Sequence, residues 1–379
     1  MNYRKLGNTG LMVSEVGIGG EWFERHSREE VQSLLDTARG LGINILDCWM
    51  SNPAVRSAIG DAIQGCREHW IIQGHVGSTW QDGQYVRTRE MDKVVPAFED
   101  LLQRMHTDYI DLGMIHYVDD VKDWENLKQN GFLDYVRELK AQGRIRHIGL
   151  STHNARIGML ALESGFVEMM LFSLNPAFDF MPQEENLDAY FENLDSKLQG
   201  LDPERAAFYR LAEEKGIGLT VMKGFAGGRL LSAEHSPFGV ALTSLQCIHY
   251  CLTRPAVASV MAGMETVEQI LEVARYSDAS PEEKDYASVL AGAPRHAFSG
   301  QCTYCGHCSP CPVNIDIALV NKFYDLAAMQ PEVPASVKAH YEALESNASD
   351  CIGCRSCEER CPFGVKIAER MELARELFA

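Results

Sequence analysis

The sequence predicts an α/β protein: a barrel of eight parallel strands alternating with helices, followed by a small α-rich domain built around cysteines. Three observations carry this expectation. The first 300 residues alternate short β-like runs with amphipathic helical segments. Polar and titratable residues recur where those runs end. Eight of the 12 cysteines crowd between Cys302 and Cys361.

The chain has 379 residues, more than one ordinary core holds, so a large domain (1–295) and a smaller one (296–379) are expected. The β-like runs lie at 13–19, 43–49, 70–76, 109–116, 146–152, 168–175, 219–225 and 257–264. Amphipathic segments at 28–41, 89–105, 124–142, 204–215 and 266–276 separate them. Such alternation over roughly 260 residues is the signature of a (β/α)8 TIM barrel. A doubly wound sheet is the alternative, but no G-x-G-x-x-G follows an early strand.

Composition excludes several function classes. The net charge is −18 with no basic stripe, so nothing neutralises nucleic-acid phosphates. The longest mostly apolar run, 166–174, is too short to cross a bilayer, and the first residues hold no apolar signal stretch. A cytoplasmic enzyme is expected, with no nucleic-acid or membrane partner.

The cysteines divide into two groups. Cys48, Cys66, Cys247 and Cys251 are scattered and read as small buried hydrophobes. The others form Cys302-x2-Cys305-x2-Cys308-x2-Cys311-Pro312 and Cys351-x2-Cys354-x2-Cys357-x3-Cys361-Pro362. The second run is the bacterial ferredoxin pattern: thiolates at every third position meet three irons, and a fourth, before proline, ligates the other cluster. Two [4Fe–4S] clusters are therefore expected. Cys302, Cys305, Cys308 and Cys361 would hold one, and Cys351, Cys354, Cys357 and Cys311 the other. The first run is one residue shorter before its last cysteine, which requires a tighter turn at Cys311. A disulfide framework needs an oxidising compartment, and structural zinc more often uses two separated cysteine pairs. His307 falls inside the first run as a polar neighbour rather than a ligand. Helices are expected at 316–329, 335–347 and 366–378.

In a barrel, chemistry sits at the C-terminal ends of the strands. Those ends carry Asp47, His75, His116, Ser151, His153, Asn175 and Lys223. One could be a satisfied core group; seven together favour a site.

Several segments resemble the aldo-keto reductases, and in particular a bacterial branch with a C-terminal 4Fe–4S ferredoxin-type extension. Tyr3-Arg4-Lys5-Leu6-Gly7-Asn8-Thr9-Gly10 is similar to the first hairpin of that family. Gly42-Ile43-Asn44-Ile45-Leu46-Asp47 is similar to its second strand, and Thr107-Asp108-Tyr109-Ile110-Asp111-Leu112 to its fourth. Gly143-Arg144-Ile145-Arg146-His147-Ile148-Gly149-Leu150-Ser151 is similar to the fifth, and Met222-Lys223 with Gly227-Gly228-Arg229-Leu230 to the seventh and its loop. The resemblance implies carbonyl reduction in which NAD(P)H gives hydride and a tyrosine gives the proton, helped by lysine, aspartate and histidine. Asp47 and His116 stand at the aspartate and histidine positions. Asn52 stands where the tyrosine belongs, and Gly74-His75 replaces Thr-Lys. Asn52 cannot act as a phenol, and an imidazole titrates far below a lysine, so the standard mechanism does not carry over. The residues implied for a nicotinamide are Ser151, Thr152, Asn175, Lys223, Gly227, Gly228 and Arg229. The 263–273 stretch lacks the basic residues that hold a 2′-phosphate and carries Glu265 and Glu268, so NADPH is disfavoured, and NAD(H) or no nicotinamide stays open.

The function expected is an iron–sulfur oxidoreductase acting on a small carbonyl or hydroxyl substrate in the barrel mouth, with electrons passing through both clusters. Asp47, His75, His116 and Asn52 are its candidate catalytic residues. Asp47 would orient His75 and favour its protonated form, and His116 would polarise the substrate. An external ferredoxin or flavoprotein is an expected partner. Two other classes stay open: a non-catalytic barrel serving as an electron-carrier module, and a non-redox lyase or dehydratase using His75 and His116. The acidic segment 178–203 reads either as a lid or as surface decoration.

Overall fold

The computed structural model describes residues 1–179, 202–236, 238–291, 293, 302, 308–328, 332–333, 335–361 and 364–379. They form two compact units. The first comprises Met1–Leu174, Glu204–Gly224 and Ile248–Lys284; the second comprises Asn175–Pro203, Phe225–Cys247 and Asp285–Ala379. The second unit thus gathers two stretches from within the first 295 residues along with the tail.

The first unit is a closed barrel of eight strands. They are β1 (Val16–Gly19), β2 (Ile45–Cys48), β3 (Ile71–Val76), β4 (Ile110–Ile115), β5 (Ile145–Thr152), β6 (Met169–Ser173), β7 (Gly218–Met222) and β8 (Val257–Gly263). They pair in chain order and in parallel, and β8 closes on β1 through Val260 opposite Val16. Eight expected runs became eight strands.

Local sequence explains the helices. α1 (Arg28–Gly40) opens on a Ser27–Glu30 capping box and buries Val31, Leu34, Leu35 and Ala38 at helical spacing. α2 (Pro53–Ile63) was not among the expected segments, although Asn52-Pro53 is a helix-start signal: the asparagine caps and the proline occupies the first turn. An added Cβ at Gly60 would lie 1.9 Å from the Arg104 carbonyl oxygen, so only glycine lets α2 approach the end of α3 (Met91–Arg104). The expected 124–142 helix is two, α4 (Val121–Gln129) and α5 (Phe132–Ala141), broken at Gly131 with φ +85°. Helices Ala155–Ser164 and Ser244–Leu252 also went unforeseen.

Strand alternation stacks two layers inside the barrel. The lower layer is apolar and packs Ile45, Leu112, Met114, Met169, Leu171, Ala258 and Met261 against Leu6 and Val13 of the N-terminal hairpin. The next inward positions are polar: Asp47 on β2, Gln73 and His75 on β3, Thr220 on β7, and His116 just past β4. All are buried.

A two-stranded hairpin, Ser78–Gln81 and Gln84–Arg87, follows β3. Its Asp82-Gly83 tip has φ of +51° and +83°, the left-handed pair a two-residue hairpin turn requires. The hairpin is fastened down. Ser78 Oγ donates to the Trp49 carbonyl at 2.7 Å, and Ser51 Oγ to the Thr79 carbonyl at 2.6 Å. The fully buried Arg56 donates to the Ser78 carbonyl at 3.3 Å.

The second unit is helical around its own small core. α6 (Ile317–Ala328), α7 (Ala335–Glu342) and α8 (Ile367–Leu377) bury Ile317, Val320, Phe323, Val337, Met371 and Ala374, with Cys308 and Cys357 in the same cluster. Asp325 on α6 accepts from Arg229 at 2.7 Å and also from Arg370 on α8. That shared carboxylate ties the 225–247 stretch to the tail within this unit.

Candidate active site and cluster-binding cysteines

The polar layer is one continuous hydrogen-bonded chain. Asp47 Oδ1 accepts from Gln73 Nε2 at 2.8 Å and faces His75 Nε2 at 3.0 Å. Gln73 Oε1 accepts from Thr220 Oγ1 at 2.7 Å, which fixes the orientation of the amide. His75 Nδ1 meets His116 Nδ1 at 2.8 Å, and His116 Nε2 meets the Tyr85 phenol at 2.6 Å. Thr220, Gln73, Asp47, His75, His116 and Tyr85 are each at most 4% exposed. Trp49 stacks on His116 at 5.9 Å and meets Tyr85 edge-on at 5.3 Å.

The donors and acceptors constrain the protons. A carboxylate only accepts, so His75 Nε2 carries hydrogen. A single hydrogen then lies between the two Nδ1 atoms. In the first arrangement His116 Nδ1–H donates to His75, and the phenol donates to His116 Nε2. In the second, His75 is doubly protonated beside Asp47 and donates to His116, whose Nε2–H donates to the phenol oxygen. The second holds one proton more than the first, so it becomes the first when a proton leaves through the phenol and the others each move one step along the chain. Burial pushes the Tyr85 phenol well above its usual value, so its oxygen keeps a hydrogen in both.

Three expected catalytic residues therefore come together: Asp47, His75 and His116. The fourth, Asn52, takes no part in the chain; its Oδ1 accepts from Ala54 N at 2.9 Å and caps α2. Tyr85 was missed. Its signal was Asp82-Gly83 between two alternating runs, which marks a hairpin, but nothing local says that the phenol turns toward a histidine 31 residues on.

The residues expected to hold a nicotinamide have other engagements. Ser151 Oγ accepts from Tyr117 N at 2.7 Å, and Thr152 Oγ1 donates to Asp119 at 3.0 Å. Asn175 Oδ1 accepts from Phe178 N at 2.9 Å. Lys223, with φ +62°, places Nζ 3.9 Å from Glu21. Gly227 and Gly228 have φ of +66° and +87° and turn the chain into Arg229, which is bound to Asp325. Glu265 pairs with Arg25 at 3.1 Å. Most of the 178–203 segment, with Cys305 and His307, lies outside the described residues.

Of the scattered cysteines, Cys48, Cys247 and Cys251 are buried, and burial pushes the Cys48 thiol up to about 12. In the second unit, Cys311, Cys351, Cys354 and Cys357 line one concavity of about 380 Å³, its open mouth included, with Val313, Ile315, Ile317 and Met371. These four are the set expected on one cluster, with Cys311 crossing from the first run. Among the described residues no three His, Cys, Asp or Glu side chains are grouped to hold a single metal ion. Four cysteines around one concavity match the ligand number of a cubane, whose four thiolates stand on four different irons. Arg360 bridges the two runs, donating to the carbonyls of Cys308 at 2.6 Å and Pro310 at 2.7 Å.

The chain thus combines a closed parallel barrel that buries a hydrogen-bonded polar chain with a helical unit lined by cysteines at iron–sulfur spacing. The aldo/keto reductase family model matches residues 15–241, and a 4Fe–4S dicluster domain model matches 299–365. The chain belongs to the aldo/keto reductase family and carries a C-terminal 4Fe–4S dicluster domain. It is 32% identical over 286 residues to the uncharacterised oxidoreductase YqkF of Bacillus subtilis, spanning 72% of this chain and 90% of YqkF. The holo form of an aldo-keto reductase from Bacillus halodurans superimposes with a TM-score of 0.60 at 23% identity, covering 78% of this chain and 98% of that one. A probable glycolate oxidase iron–sulfur subunit of Bacillus subtilis is 34% identical over 80 residues, 20% of this chain and 18% of that protein. No helix among the described residues is long and apolar enough to cross a membrane.

Proposed function

We propose that the protein interconverts a small carbonyl compound and its alcohol, using the Asp47–His75–His116–Tyr85 chain to move the proton and the dicluster domain to move electrons. The observation that carries this reading is the unbroken hydrogen bonding from Asp47 to Tyr85 inside the barrel. It returns a phenol to a site whose family tyrosine position holds a helix-capping asparagine.

Carbonyl reduction consumes two electrons and two protons: hydride carries one proton with its electrons, whereas electrons passed singly from the clusters require the relay to be reprotonated and to deliver a second. In the doubly protonated arrangement of His75, Tyr85 receives a hydrogen bond from His116 and its own O–H can turn to a substrate oxygen. As that proton leaves, Tyr85 takes one from His116 and His116 takes one from His75. The chain ends in the first arrangement, with Asp47 facing a neutral ring. Alcohol oxidation runs it backward. Concerted transfer matters because burial disfavours a free phenolate. Trp49, stacked on His116, helps keep water off the relay.

When bound, the clusters supply one-electron transfer. Cys311, Cys351, Cys354 and Cys357 would hold one, and Cys302, Cys308 and Cys361 with Cys305 the other. Cys354 is exposed and its neighbour Ile352 is 64% exposed, so a ferredoxin or flavoprotein can approach that edge. NADH is the alternative source; engagement of Arg229 by Asp325 and the acidic 263–273 stretch speak against NADPH. The two histidines share one hydrogen between their Nδ1 atoms, which argues against a lyase needing an independent acid and base.

The test is an anaerobic titration of the full chain, with about eight irons bound. NADH should bleach the cluster absorbance, and a reducible carbonyl should restore it. Bleaching by dithionite alone would remove the nicotinamide and leave a carrier protein as the source. If no carbonyl oxidises the reduced clusters faster in wild type than in His75→Gln, the reading fails.

A further inference from the structure

Arg360 stands between Cys357 and Cys361, and its engagements divide between the two cysteine runs. One terminal nitrogen donates to the carbonyls of Cys308 and Pro310 in the first run. The side chain also lines the concavity formed by Cys311, Cys351, Cys354 and Cys357. Its Nε is buried, with no hydrogen-bond partner among the described residues.

A buried guanidinium N–H without an acceptor is costly, and native structures satisfy nearly all such groups. The side chain that carries this unmet donor also lines the cavity whose cysteines would hold a cluster. The sulfur atoms of a cluster are acceptors, and they become better ones when the cluster gains an electron. A fixed positive charge with an N–H donor therefore stabilises the reduced form more than the oxidised form.

We propose that Arg360 is a positioning residue that locks the two cysteine runs together and raises the reduction potential of the cluster held by Cys311, Cys351, Cys354 and Cys357. This rests on assigning those four cysteines to one cluster. The two clusters then differ in potential through one side chain, and an electron entering the unit settles first on the cluster beside Arg360. The second run alone does not say this, because an arginine before its last cysteine reads as ordinary surface charge. Only the crossing bonds to Cys308 and Pro310 and the unmet Nε single it out.

The experiment is an anaerobic redox titration of the full chain, followed by electron paramagnetic resonance, in wild type, Arg360→Lys and Arg360→Gln, with iron counted in each. With iron intact, Arg360→Gln should lower the midpoint of one cluster and shift the other less. Arg360→Lys, which keeps the charge but loses the Nε donor, should fall between. Unchanged midpoints, or equal shifts of both clusters, would overturn the proposal. If Arg360→Gln loses iron, Arg360→Lys decides: a lowered midpoint supports it and a wild-type midpoint overturns it. Iron loss in both variants would also overturn it, making the arginine purely structural. Cys354→Ser guards the assignment separately. If it alters the signal of the cluster that Arg360→Gln leaves alone, the cysteine grouping fails while the arginine effect stands.

Discussion

The two units treat their reactive groups in opposite ways. In the barrel, the chain from Thr220 to Tyr85 is sealed, with every member at most 4% exposed. In the second unit, Cys308 and Cys357 are buried, but Cys311, Cys351 and Cys361 are half-buried and Cys354 is exposed. A proton moves only along an unbroken row of hydrogen bonds, and stray water would short-circuit it, so the row is buried and fully paired. An electron needs no such row, and its carrier must come close, so the cluster edge can sit at the surface. On the proposed function, sealing suits the unit that would move protons and exposure the unit that would move electrons.

The largest effects should come from cutting the sealed chain. Asp47→Asn removes the charge beside His75 and Tyr85→Phe removes the phenol; each should cost turnover about 10²–10⁴-fold. Iron content and cluster midpoints should stay at wild-type values in both. Steady-state kinetics beside an iron assay and a redox titration would check this. Turnover lost without any cluster change keeps the two functions separate. Cluster loss in Tyr85→Phe would show that the barrel chain also supports the second unit, and the contrast would break.

A smaller effect is expected at the carboxylate shared by Arg229 and Arg370. Asp325 is 11% exposed and Arg229 10%, so this is a nearly buried ion pair rather than a solvated one. Asp325→Ala should destabilise the second unit by about 3 kcal/mol, the cost of leaving a buried charge without its counter-charge. Anaerobic denaturant unfolding followed by cluster absorbance would measure it. An Asp325→Ala protein of unchanged stability that binds NADH more tightly would mean that Arg229 serves a nucleotide and that Asp325 competes for it.

What could be read in advance divides along the same line. The cluster motifs are local: thiolates at fixed spacing declare their ligand within a dozen residues, and Cys311 lines the same concavity as Cys351, Cys354 and Cys357. The barrel was legible too, because eight apolar runs at regular intervals leave little else to build. The acid–base chain was only half legible. Asp47, His75 and His116 stood at strand ends where chemistry is expected, but Gln73, Tyr85 and Thr220 join them through register and through a docked hairpin. Gln73 lies opposite Asp47 in the β2–β3 ladder, while Tyr85 depends on Ser51, Ser78 and Arg56 holding the hairpin in place. Asn52, also expected at the site, instead turns its side chain to the first turn of α2. A residue before proline caps a helix more readily than it serves a site.

The smallest expected effect lies on the outside of the barrel, where charge is only partly buried. Glu168 accepts from Lys140 on α5 at 2.5 Å and from Ile148 N on β5 at 2.8 Å, and meets His147 Nδ1 at 3.1 Å. Partial burial raises its carboxyl, but hydrogen bonds from His147, Lys140 and Ile148 outweigh this and hold it at about 2, against an ordinary 4.5. A depressed carboxyl stabilises the fold fully above the unfolded value, and that contribution fades as pH falls through the folded one. The group is only partly buried, so after solvent screening the contribution is about 1 kcal/mol. Urea unfolding of wild type and Glu168→Gln should differ by that amount at pH 6, with the gap closing between pH 4.5 and 2. A gap that stays constant over this range would assign the effect to packing between α5 and β5, not to the ionised carboxylate.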